Sequence, residues 1–162
     1  MIIEILGLVF AIILGSIGHF LYEWSNYNTI VGFFFSKSET TWEHMKLVIT
    51  PIISWTIIEF FSFSFKNLFF AKFASIITFV ISLTILYYGY KKLLKKNILF
   101  LDILIFYISL GISSIVSITL LSSNKSYFFL NILSFFGICF IIWLYKKFDK
   151  NTPNWFIFKK PF

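Results

Sequence analysis

Five stretches of about twenty apolar residues, near 2–22, 41–63, 69–90, 98–121 and 127–145, leave this chain few folds to choose from. A bilayer core about 30 Å thick is crossed by about 20 residues that rise about 1.5 Å each. In lipid every backbone polar group must be satisfied within the segment, so each stretch is expected to be a helix. The rest of the 162-residue chain argues the same way: 59% of residues are hydrophobic and 13% charged, against about 25% charged in soluble domains. A globule in water would lack polar surface to cover it. The expected fold is therefore all-α, an integral membrane helical bundle of about five transmembrane helices forming a single transmembrane domain over 1–162, with the lipid bilayer as obligatory partner. The second stretch starts with Glu43, His44 and Lys46 and contains Pro51, which withholds one backbone hydrogen bond and favours a kink. The first begins Met1-Ile2-Ile3-Glu4, without the positive flank of a signal peptide, and reads as a span.

All 14 basic residues are Lys, and the chain has 24 Phe. Codon bias in an AT-rich genome accounts for that composition without an aromatic ligand box. The absence of Arg removes bidentate recognition of phosphate or carboxylate by guanidinium. The net charge of +7 is explained by membrane orientation, so no nucleic-acid partner is expected. The single cysteine, Cys139, lies in an apolar run, which leaves no intrachain disulfide or cysteine metal motif.

Lysine placement gives the topology. Lys91, Lys92, Lys95 and Lys96 form one cluster, and Lys146, Lys147, Lys150, Lys159 and Lys160 form another. Two spans separate them, so both lie on one face, which the positive-inside rule makes cytoplasmic. The N-terminus is then outside and the C-terminus inside, in a bacterial cytoplasmic (inner) membrane. The tail over 146–162, with Trp155 among its lysines, reads as an interfacial segment.

Ionisable groups concentrate around the first connection. Gly7, Ala11 and Gly15 recur every fourth residue and allow close helix approach. His19 and Glu23 continue that spacing toward the cytoplasmic end. The following segment, Asn26 to Lys37, is apolar but too short to span, which implies a re-entrant or interfacial segment between the first two spans. Thr40 with Glu43, and Ser36 with Glu39, have capping-box spacing. Glu39, Glu43 and Lys46 share a helical face, whereas His44 points about 100° from Glu43.

The pattern Gly15-x-x-x-His19-Phe20-x-Tyr22-Glu23-Trp24-Ser25, then Val31-Gly32-x-Phe34, then Glu39-x-x-Trp42-Glu43-His44-x-Lys46, resembles a family of small bacterial multi-pass membrane proteins catalogued as a domain of unknown function. The resemblance is specific over 15–51 and extends as a helix pattern to the C-terminus. It implies a membrane fold and no established activity. The chain departs from the family's Asn-Glu-Ser at Ser38-Glu39-Thr40, and from its tail, acidic before Pro, at Lys160-Pro161.

Charges within spans cost about 2.5–3.5 kcal/mol on insertion scales and so point to function, although Lys46 and Asp102 are close enough to span ends to snorkel. The candidate binding residues are His19, Glu23, Glu39, Glu43, His44 and Lys46. Glu39 and Glu43 are the candidates for general-base catalysis. His19, Glu43 and His44 are candidate ligands for a divalent metal, the one cofactor the residues suggest. Three functions fit such a site. One is binding or transport of a cation, proton or small ligand; the second is a metal-dependent membrane enzyme acting on a lipid or small amphiphile; the third is a structural or accessory membrane subunit. No Ser-His-Asp arrangement, phosphate loop or HExxH motif names a reaction. Serines along the third and fourth spans (Ser75, Thr78, Ser82; Ser109, Ser113, Ser117) read as interhelical glue. Glu59 lies near the far end of the second span, facing away from Glu39.

Overall fold

The computed structural model describes residues 2–159. Six α-helices follow one another: α1 (Ile2–Trp24), α2 (Thr29–Phe34), α3 (Thr41–Ser62), α4 (Leu68–Leu94), α5 (Leu99–Leu121) and α6 (Phe128–Lys150). A 3-10 turn, Phe156–Phe158, closes the described chain. All except α2 are long and apolar enough to cross a membrane. The chain is an all-helical, multi-pass membrane protein with five candidate spans among the described residues.

The least apolar span, α3, is also the most buried. Four of its charged and hydroxyl side chains (Lys46, Thr50, Thr56 and Glu59) are buried against neighbouring helices, where polar groups can be paired. α1, α4 and the short α2 pack on α3, α5 and α6 pack on α4, and α1 also meets α5. The mid-depth core is apolar: Ala11, Val48, Ile76, Phe79 and Leu110 are almost wholly buried.

Small residues set the α1–α3 contact. A Cβ at Gly7 would stand 2.5 Å from Trp55, and one at Gly15 would stand 2.6 Å from the Leu47 carbonyl oxygen. That oxygen is the one Pro51 cannot serve, because proline has no N–H to donate four residues back. Gly18, which follows no four-residue repeat, makes a third close approach, to Phe35.

α1 ends in two left-handed residues, Asn26 (φ 56°) and Tyr27 (φ 59°), and the Tyr27 N–H donates to the Tyr22 carbonyl at 2.9 Å. The turn sends the chain back into the bundle. Asn28 caps α2, its side-chain oxygen accepting from Ile30 and Val31. The Gly32 carbonyl then accepts from Lys46 Nζ (3.1 Å) and the Phe34 carbonyl from Thr50 Oγ1 (2.6 Å). Thr50 lies about 14 Å along α3 from its start, at about 1.5 Å per residue. The connection thus re-enters the bundle beside α3, whose side chains hold it there.

Two helix ends differ from the sequence reading. α4 continues to Leu94 and α6 to Lys150, so most of the two Lys clusters ride on helix ends. Lysine is a good helix former and suits a helix C-terminus. The tail folds onto the bundle, with Phe158 against Trp42 and Phe148, and Phe156 against Tyr88. Lys160 and Pro161 lie outside the described residues.

Candidate functional site

The Lys-rich face gathers the ends of α1, α4 and α6 and the starts of α3 and α5. There the re-entrant segment delivers Glu39 between two imidazoles. His19 Nε2 lies 3.5 Å from Glu39 Oε1, and His44 Nε2 lies 3.5 Å from Glu39 Oε2. One donor atom from each residue falls within 4.8 Å of the others. The imidazole rings sit 5.3 Å apart.

Hydrogen bonding fixes what these atoms present. His44 Nδ1 lies 2.9 Å from the Thr40 carbonyl oxygen, which can only accept, so Nδ1 carries the proton. Nε2 of a neutral His44 then offers its lone pair toward a carboxylate oxygen. Two electron-rich atoms held that close call for a proton or a metal cation between them. A backbone carbonyl orienting a ligating histidine is the usual outer-sphere arrangement at metal sites. His19 Nδ1 is buried and has no hydrogen-bond partner among the described residues. Zinc bonds of about 2.0–2.1 Å set tetrahedral donor–donor edges near 3.3 Å; the two His–Glu distances, each to a different carboxylate oxygen, are close to that, and the three-atom group as a whole spans up to 4.8 Å.

The three side chains open onto a cavity of about 540 Å³. Residues of α1, α3, α4 and α5 make up most of the rest of its wall, among them Gly15, Leu47, Tyr87, Asp102, Phe106 and Tyr107. Asp102 accepts a hydrogen bond from the Tyr90 hydroxyl, and Lys91 leans on Tyr87. A three-donor site with one side on a cavity leaves coordination positions for a ligand.

The other candidates have different surroundings. Glu43 is outside the three-donor group. Its Oε2 meets Lys46 Nζ at 2.7 Å and accepts from the Lys37 N–H at 2.8 Å. Together with the Gly32 carbonyl these contacts form a clamp on the re-entrant segment. Lys46 is 3% exposed, so it is enclosed by that clamp instead of snorkelling. Glu39, not Glu43, stands with the histidines because Glu39 precedes the helix, where the chain is free to aim its side chain at both rings. Thr40 caps α3 by accepting from the Glu43 N–H, but the Glu43 carboxylate turns to Lys37, giving half a capping box. Ser36 caps no helix and donates to the Ser38 carbonyl. Glu23 is exposed.

The opposite face holds a second charged group. Lys72 Nζ pairs with Glu4 and, at 2.8 Å, with Glu59; Ser117 Oγ donates to Glu4 at 2.6 Å. All four side chains are buried. The sequence reading passes over Glu4–Lys72 because the partners are 68 positions apart. The signal it carries is parity: an acid opening the first span and a lysine in the third fall at the same face. Of the serine stripe on α5, Ser117 bonds across helices, whereas Ser113 donates within its own helix.

The architecture and the site define a multi-pass helical membrane protein with a two-histidine, one-carboxylate group at one face. The chain belongs to the family of unknown function DUF6512, whose model matches residues 2–161. No curated protein and no solved structure matches it.

Proposed function

We propose that this chain is a membrane protein that binds one divalent transition metal through His19, Glu39 and His44, and that the ion acts as a Lewis acid toward a ligand in the adjoining cavity. The single observation that carries this reading is the pair of imidazole nitrogens at 3.5 Å from the two oxygens of one carboxylate, one ring oriented by the Thr40 carbonyl. Two imidazoles and a carboxylate suit zinc, and the same set with open positions suits ferrous iron. The Lys clusters support a cytoplasmic placement of this face, with the N-terminus outside. A reporter active only in the cytoplasm, fused at Phe162, should be active. Transport draws less support than ligand activation, since Ala11, Val48, Phe79 and Leu110 form an apolar layer between the two charged ends.

Elemental analysis of the purified protein tests the reading. One equivalent of metal is expected in the parent chain and in Glu43→Gln. His19→Ala, His44→Ala and Glu39→Ala should each lose it. A parent protein without stoichiometric metal, or a Glu39→Ala variant that keeps it, overturns the assignment.

A further inference from the structure

The cavity is two-natured. Its polar end is the His19–Glu39–His44 group at the Lys-rich face, and its body is lined by Leu47, Leu83, Ile103 and Phe106. Between α1 and α5 it reaches the outer surface of the bundle. Ser16, Ile103 and Tyr107 line the cavity and are also exposed on the outer surface of α1 and α5. A side-chain hydrogen bond, Ser16 Oγ to Tyr107 hydroxyl at 2.9 Å, spans that seam. A soluble ligand has no use for an apolar wall that opens sideways into the bilayer. A volume of about 540 Å³ suits one drug-sized molecule, so a single hydrocarbon chain fits and a two-chain phospholipid does not.

Charge selects the headgroup. A divalent ion with one carboxylate ligand leaves one net positive charge on the cavity side. Asp102, also in the wall, keeps its negative charge when Tyr90 donates to it, and Lys91, held by the Tyr87 hydroxyl of the same wall, offsets that charge; Lys92, Lys95 and Lys96 attract anionic amphiphiles to this face. We infer that the cavity takes a single-chain amphiphile with an anionic oxygen headgroup, entering from the bilayer between α1 and α5. The headgroup ligates the metal and the chain lies against Leu83, Ile103 and Phe106. This inference rests on the proposed metal site.

Calorimetry on the zinc-loaded protein in nanodiscs tests it, with dodecyl phosphate, inorganic phosphate and dodecanol as probes. Dodecyl phosphate should bind at least tenfold more tightly than either of the others. Ile103→Trp, which fills the mouth, should weaken dodecyl phosphate tenfold or more and leave zinc stoichiometry unchanged. If zinc binds but dodecyl phosphate is no tighter than inorganic phosphate, the headgroup is read without the chain and the inference fails while the metal site stands. If dodecanol binds as tightly as dodecyl phosphate, the anionic headgroup is wrong. If Ile103→Trp has no effect, the entrance lies elsewhere. Failure of the parent protein to bind zinc sinks the metal reading and, with it, the headgroup assignment.

Discussion

At one face of the bundle, Lys72 reaches both Glu4 and Glu59, Ser117 adds a hydrogen bond, and all four side chains are shielded from lipid. At the other face, Glu39 is 64% exposed at its side chain and its neighbours are two half-buried imidazoles. Both groups contain carboxylates near the end of a span. In the first, the chain supplies its own fixed cation and the network is closed off from the surface by protein, joining α1, α3, α4 and α5. In the second, no fixed cation stands among the donors within the described residues, and a cavity of about 540 Å³ adjoins them. A closed network stabilises the fold, whereas an open one has spare valence for something that is not protein. The same contrast recurs over five residues of one segment. Glu43 is locked to Lys46, and Glu39 is left for the histidines.

Breaking the closed end should have the largest effect. Lys72→Met leaves two buried carboxylates without their cation, and removing one partner of a buried pair costs about 3–5 kcal/mol. Little folded protein is expected in detergent. Adding Glu4→Gln and Glu59→Gln to Lys72→Met should recover most of the lost melting temperature, because the charges are then removed together. Next comes Glu39→Gln at the open end. Metal affinity should fall by more than the about 10–100-fold typical of outer-sphere changes, with the metal-free melting temperature unchanged. Gly15→Leu drives a side chain into the Leu47 carbonyl, and the overpacking should cost about 1–3 kcal/mol in thermal melts. Glu43→Gln sharpens the contrast within the segment: it should lower stability by about 1–3 kcal/mol by weakening the hold on buried Lys46, yet keep the metal. The mildest test is pH. Protons compete with the metal for the imidazole nitrogens, so metal affinity should decline as pH falls and recover on return. Titration of bound metal against pH checks the sign.

The five spans were legible because hydropathy over about 20 residues is a local property, and so was the re-entrant segment, apolar yet too short to cross. His19 and His44 were also legible, as ionisable residues at the ends of apolar helices. The choice between Glu39 and Glu43 was not. Helical projection places the two on one face, but Glu39 precedes the helix, and a projection says nothing about a residue outside it. The Glu4–Lys72–Glu59 network also escaped the sequence, since its members come from three helices whose rotation is set only by packing. Gly18 was missed because it breaks the four-residue spacing of Gly7, Ala11 and Gly15, although it too touches its neighbours closely.

Pro51 and Gly15 have a shared consequence for how the family can vary. Proline leaves the Leu47 carbonyl without its helical donor, and the surface of Gly15 covers that oxygen so closely that no Cβ fits. Each residue alone looks like a defect in a membrane helix. Together they bring α1 hard against α3 at a carbonyl without its helical donor, beside the cavity wall to which both Gly15 and Leu47 contribute. Selection should therefore act on the two positions as one character. Across relatives, a larger residue at position 15 should travel with the loss of proline at position 51, and an alignment can show whether they are inherited as a pair.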